Sequence, residues 1–373
     1  MHHALKLASA VAAFLLSACG GSGSEAPSPP AASAPYQATL IAGQATPVYY
    51  DQTDQEPGCV DGPALGAKLN PNRRSKGFTR SANGDLLLAE GGYCDLSYRI
   101  RVIHPAGNTI KTLAVGTPYR DNDTEPLTTF LTPTSLAVAP SGDIYIGDSD
   151  VFEMNSNWGQ RYTPGRGPGI WKLGVDGNIS VLAGVSLPMG TLDGVGAAAS
   201  FQFIGAMCYG SDGLLYVNDQ GRLRTISTDG TVTTVTGQSV VACGTWDGSV
   251  LVYRDFSDST KSDFYDPIAQ KSIAKTSVSG LSFGGGSLLY FGPNNPSVVV
   301  QLGNSNSSWL TVVNLVDGSS ARVAKVADTV DSPMNLAVTP PVIPAMVIAA
   351  VATSGTDFDL LTDQSVIRFT HKR

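Results

Sequence analysis

Residues 193–237 read DGVGAAASFQFIGAMCYGSDGLLYVNDQGRLRTISTDGTVTTVTG. A small-residue opening leads into short apolar runs with a turn after each. GAMCYG precedes Ser211-Asp212-Gly213, LLYVND precedes Gln220-Gly221, and RLRTIS precedes Thr228-Asp229-Gly230 before TVTTVTG. None of these runs carries a 3.6-residue period. Short strands at near-even spacing with Asp-Gly turns between them describe an antiparallel meander. If such a unit recurs, the fold is a repeat architecture.

It does recur. Asp61-Gly62 followed by Ala67-Lys68-Leu69 echoes Asp193-Gly194 followed by Ala199-Ser200-Phe201, and GFTRSANGDLLLAE (77–90), RIRVIHPAGN (99–108) and TIKTLAVG (109–116) complete that copy. TSLAVAPSGDIYIGDSD (134–150), GIWKLGVDGN (169–178) and ISVLAG (179–184) form a second, interrupted by an insertion at 151–168. Later copies at 243–255, 263–277, 280–292, 308–326, 334–351 and 365–373 keep only the strand–turn–strand rhythm. Second strands are expected at 85–90, 143–148, 214–219, 249–254, 287–291 and 346–351. Six antiparallel units of four strands, arranged radially, make a six-bladed β-propeller. The segment 36–43, YQATLIAG, matches only the last strand of the unit, and the chain ends on a strand matching the third. The N-terminal strand is therefore expected to complete the last blade and remove the open edge of the ring. With 41 Gly, 23 Pro and 15% charged residues in 373, the composition agrees with an all-β, turn-rich chain.

The repeats resemble the NHL family, whose unit runs through D-G-x-G-x-x-A-x-F, L-Y-V-A-D, an arginine-bearing strand and V-x-T-x-A-G. Residues 193–201, Leu215-Tyr216-Val217-Asn218-Asp219, Arg222-Leu223-Arg224 and 233–237 carry the likeness, with Ile144-Tyr145-Ile146-Gly147-Asp148 and Arg99-Ile100-Arg101 in the other copies. Gln220-Gly221 stand where the family has its N-H signature before Arg222. The family hosts many functions, so the likeness implies a fold rather than an activity.

The N-terminus reads as a targeting segment over 1–18. Lys6 precedes a short apolar run at 7–16, too short to span a bilayer permanently. Leu16-Ser17-Ala18-Cys19 resembles the bacterial lipobox, which implies lipidation of Cys19, stable anchoring through its acyl chains, and, with Gly20 next, sorting to the outer membrane facing the periplasm or the surface. Residues 20–35, GGSGSEAPSPPAASAP, cannot build a core and read as a tether. The propeller then occupies 36–373. Cys59, Cys94, Cys208 and Cys243 remain, an even number in an exported chain, and the pairs 59–94 and 208–243 have equal separations. Those two pairings are expected as disulfides; the alternative is free buried thiols.

The net charge of −7 without a basic patch excludes nucleic acid as a natural partner. His2 and His3 lie in the targeting segment, and His104 and His371 stand alone, so neither a zinc cluster nor a Ser-His-Asp set is expected. Glu90, Asp148 and Asp219 end second strands and would ring one mouth. They read either as ligands of Ca²⁺, by resemblance to calcium-dependent lactonase propellers, or as acceptors for backbone N–H groups of the following turn; the repeat itself favours the second. The Asp-Gly pairs at Asp61, Asp176, Asp193, Asp212, Asp229, Asp247 and Asp317 lack the alternating carboxylates of a calcium loop and read as turns. Asp121, Asn122, Asp123 and Glu125 form an acidic loop, solvated or weakly cation-binding. The insertion at 151–168, with Trp158, Arg161, Tyr162 and Arg166, is either a recognition loop or a cover over its blade. The expectation is a monomeric, cofactor-free binding or scaffolding module for an envelope protein, peptide or glycan; the alternative, implied by the lactonase resemblance, is a Ca²⁺-dependent hydrolase on the same fold.

Overall fold

A computed structural model describes residues 36–45, 57–71, 77–91, 95, 97–117, 129–149, 167–186, 188–236, 240–246, 248–254, 263–275, 289–292, 294–304, 307–327, 334–343 and 347–372. These residues form six sheets, antiparallel except for one short parallel pairing of Ser320–Val326 with Val342–Ile343, and two single-turn 3₁₀ segments. Each sheet is a blade. From the axis outward, blade one is Phe78–Arg80, Leu86–Gly91, Tyr98–His104 and Thr109–Val115. Blade two is Pro133–Val138, Ile144–Asp148, Gly169–Leu173 and Ile179–Gly184, and blade three is Ile204–Tyr209, Leu215–Asp219, Arg222–Ile226 and Thr231–Thr236. Blade four is Val240–Trp246, Ser249–Arg254, Asp263–Asp266 and Lys271–Lys275. Blade five is Leu289–Tyr290, Ser297–Asn304, Ser307–Asn314 and Ser320–Val326. Gly62–Pro63, Gly194–Val195 and Val342–Ile343 add a short fifth strand to blades one, three and five.

Blade six is Val347–Ser354, Asp357–Thr362 and Ser365–His371, and its outer strand is Tyr36–Gly43. The pairing runs antiparallel from Tyr36↔His371 to Gly43↔Ser365. The ring is closed by the first strand of the body, as expected from its match to the last strand of the repeat. The inner strands contact one another in sequence round the axis, from blade one through blade six and back to blade one.

Six apolar clusters lie between consecutive blades, one per seam. Leu86 and Leu88 pack toward blade six, while Leu87 and Ala89 pack toward blade two. Successive side chains of a strand point to opposite faces. A strand sandwiched between two blades is apolar on both, so it reads as an unbroken run (LLLA) rather than as an alternation.

Two of the expected second strands are corrected. Residues 289–290 and 347–354 are inner strands; the second strands of blades five and six are Ser297–Asn304 and Asp357–Thr362. A strand's place in a blade is set by which neighbour it pairs with. Where the Asp-Gly turn that marks the first hairpin is missing, an apolar run does not announce its place. Residues 336–340 form bends, not a strand. Pro340 ends this run and Pro341 follows directly, and each removes a ladder donor.

The Asp-Gly pairs divide into two kinds. Asp176, Asp212, Asp229 and Asp317 each accept the backbone N–H two residues on, as turn residues should. Asp61 and Asp193 do something else. Asp61 accepts the N–H and hydroxyl of Thr112, and Asp193 those of Thr234, so each ties the repeat's opening segment to its own blade's outer strand. Asp247 lies outside the described residues.

Cys208 and Cys243 form a disulfide between the inner strands of blades three and four, with Cα atoms 6.0 Å apart. Cys59 is also disulfide-bonded, and Cys94, its expected partner, lies outside the described residues. For a sequence separation of 35 residues, loop-closure entropy gives about 3–4 kcal/mol. Cys208→Ser with Cys243→Ser should lower the unfolding free energy measured in urea by that amount, with a steeper slope as the uncrosslinked unfolded chain expands, and reductant should then shift the variant less than the wild type.

Candidate functional site

The inner strand of each blade is paired on one side only, so its free edge borders the axis. Six such strands enclose a cavity of about 740 Å³, within the size of small-molecule sites. Its wall takes residues 78–82, 135–136 with 138–140, 206–211, 243–246 with 248, 289 and 350–353, one segment from every blade. These segments lie toward the C-terminal ends of the inner strands, so the cavity belongs to the half of the axis nearest the first hairpin turns.

Small residues make the room. Ala206, Gly210, Gly244 and Ala350 leave space that larger side chains would fill. Trp246 brings its indole to the wall against Gly292, where a Cβ would stand 2.1 Å from the ring. Gly292 has φ +90°, so both the clearance and the backbone conformation require glycine. Ser135, 3% exposed, has a hydroxyl with no hydrogen-bond partner.

Arg80 is the one charged side chain among the described residues of the wall. It ends the inner strand of blade one and folds over the 81–84 turn; a Cβ at Gly84 would stand 2.9 Å from its Nη2. Its Nη1 lies 3.5 Å from Asp359 Oδ2 of blade six and makes no hydrogen bond. Asp359 is fully buried and already held in a two-pronged pair by Arg368, Nε to Oδ1 at 2.8 Å and Nη2 to Oδ2 at 2.8 Å. Burial and the neighbouring Arg368 hold the Arg80 guanidinium below the ordinary arginine pKa, while Asp359 and Asp85 pull the other way.

Glu90, Asp148 and Asp219 sit at the ends of second strands, and hence at the opposite end of the blades from the hairpin turns. All three are buried. Glu90 accepts from Asn70 N–H at 2.9 Å and Arg101 Nη1 at 2.8 Å. Burial pushes its carboxyl pKa up against the lowering pull of these donors. Asp148 accepts from the N–H groups of Leu131 and Thr132 and from Trp171 Nε1. Asp219 accepts from the N–H groups of Gln202 and Phe203 and from Arg224 Nη1. The backbone donors lie in the segment that enters the inner strand, not in the turn that follows the acid. The reason is antiparallel geometry: the end of the second strand stands beside the start of the first. Among the described residues no three His, Cys, Asp or Glu side chains are grouped to hold a metal ion.

Trp158, Arg161, Tyr162 and Arg166 lie outside the described residues, as do Cys19, Asp121, Asn122, Asp123 and Glu125. The cavity residues escaped the sequence reading because alanine, glycine, serine and threonine carry no chemical motif. Arg80, in GFTRSANGD, was not singled out either, because a lone cation at a strand end carries no motif.

No family model matches the chain, and no curated protein does. Solved structures do. A protein of unknown function from Bacteroides thetaiotaomicron aligns at TM-score 0.51 and 14% identity, over 90% of this chain and 76% of that one. An auxiliary nutrient binding protein from the same organism aligns at TM-score 0.54 and 10% identity, over 91% and 77%. At such identities the likeness is one of fold, and it agrees with the architecture built above: this chain is a six-bladed β-propeller.

Proposed function

We propose that this chain is a lipid-anchored binding propeller of the bacterial cell envelope. Cys19 carries the lipid, residues 20–35 hold the body off the outer membrane, and an envelope protein, peptide or glycan is taken at a mouth of the propeller. The chain acts as a monomer and without a cofactor. The NHL-like repeats supply the rigid frame. The supporting observation is the axial cavity of about 740 Å³, which all six blades build together and which one guanidinium borders. Recognition placed at the axis of a closed ring costs little ordering on binding, because the inner strands are already held by their neighbours.

Two measurements test this. Cys19→Ala should move the protein from the membrane fraction to the soluble fraction almost completely, since the remaining chain has no acyl anchor; unchanged membrane association would remove the anchor from the reading. A photo-crosslinking residue at Thr245, exposed on the cavity wall, should capture a partner in intact cells, and capture should fall when Ala350→Phe narrows the cavity. Equal capture by the narrowed form would move the partner away from the axis.

A further inference from the structure

We propose that the axial cavity binds a carboxylate, that of a small organic acid or of a short peptide's C-terminus, and that Arg80 is its counter-ion. The proposal rests on the reading of the cavity as the binding site and assigns its ligand chemistry. It begins from a charge imbalance. Arg80 is the one charged side chain among the described residues lining the cavity, and its side chain is 25% exposed. The two carboxylates near it are already engaged. Asp359 gives both oxygens to Arg368. Asp85 has His104 Nδ1 at 2.8 Å on one oxygen and Asn83 Nδ2 at 2.8 Å on the other. Arg80 Nη1 is buried against Asp359 without a hydrogen bond, and the exposed remainder of the guanidinium, Nε and Nη2, has no acceptor among the described residues. A guanidinium that is partly desolvated and short of an acceptor is a strong site for one more oxygen anion.

The rest of the wall narrows the class. It offers an aromatic and apolar surface: the Trp246 indole, Met207 and Val351. Among the described lining residues none is an acid that would repel an anion. A phosphate brings close to two negative charges at neutral pH, against a single guanidinium in a chain of net charge −7. A monocarboxylate is matched one to one. An uncharged body behind it would rest on Trp246 and the small residues.

The test uses the full chain in detergent and isothermal titration with two matched series: N-acetylated amino acids and short neutral peptides, each with a free and an amidated C-terminus. Free acids should bind at least about tenfold, and up to about a hundredfold, more tightly than their amides. Arg80→Gln should erase that difference, and Arg80→Lys should keep part of it. Arg80→Gln should fold, because Asp359 retains Arg368; its thermal midpoint checks this. Binding by single residues identifies a small acid, and binding by peptides alone identifies a chain terminus. Equal binding of acids and amides, acid preference unchanged in Arg80→Gln, or no binding by any free acid would each overturn the proposal. Amide binding lost in Ala350→Phe would leave the cavity reading standing without the carboxylate. No binding in either series together with no capture at Thr245 would remove both.

Discussion

Arg224→Ala should cost about 3–5 kcal/mol of stability, the cost of stranding a buried charge. Arg224 is fully buried in blade three and organises four acceptors. Nη1 donates to Ser200 O at 2.7 Å and Asp219 Oδ2 at 2.8 Å; Nη2 donates to Leu192 O at 2.6 Å and Asp193 Oδ1 at 2.9 Å. The guanidinium also lies over the Phe201 ring, 4.9 Å from its centroid. Its removal leaves Asp219 buried with two backbone donors and no cation, and deprives two carbonyls of the opening segment of their partner. Asp193→Ala is the control. Asp193 is half-exposed, and solvent screens its pair with Arg224, so its loss should cost about 1 kcal/mol or less. Arg224→Lys should recover less than half, because an ammonium cannot span four acceptors in one plane. Urea unfolding with an unchanged slope measures all three. A loss near 1 kcal/mol for Arg224→Ala would show that the buried network does not hold the blade. The same design stands in blade one, where Arg101 binds Glu90, Asp61 and the Val60 carbonyl.

Deleting residues 36–43 should abolish cooperative folding, and grafting the same eight residues after Arg373 should restore it. The strand supplies the outer row of blade six and buries Tyr36, Ala38 and Ala42 in the seams with blades five and one. Without it, Ser365–His371 becomes a bare edge, and exposed edges pair with other chains. The graft works on geometry. Tyr36 stands directly opposite His371, so in the graft Lys372 and Arg373 would supply a two-residue hairpin connection. Circular dichroism melts and light scattering of the deleted and grafted forms read the result. A deleted form that melts like the wild type would mean that the ring does not depend on this closure.

Much of this molecule is written locally. Asp-Gly and Ser-Gly turns at fixed offsets delimit the strands of blades one to three, because only certain residues adopt the turn conformations. The orphan strand at 36–43 was legible as a missing fourth strand, and the spacing of Cys208 and Cys243 as a disulfide across neighbouring blades. Strand order in blades five and six was not legible, because an apolar run flanked by glycine or proline carries no mark of its partner. Asp61 and Asp193 looked like ordinary turn residues; their bonds reach 51 and 41 residues along the chain, a distance no local pattern encodes.

The candidate site divides the same way. Sequence by itself determined the repeat, the number of blades and the buried acids that recur with them, since each depends on contacts within one unit. Only the tertiary structure decided where a ligand could go. The cavity exists because six inner edges converge, and Arg80 has an unmet donor because Asp359, in the last blade, is already claimed by Arg368. Both facts depend on contacts between blades at opposite ends of the chain, so no single repeat contains them.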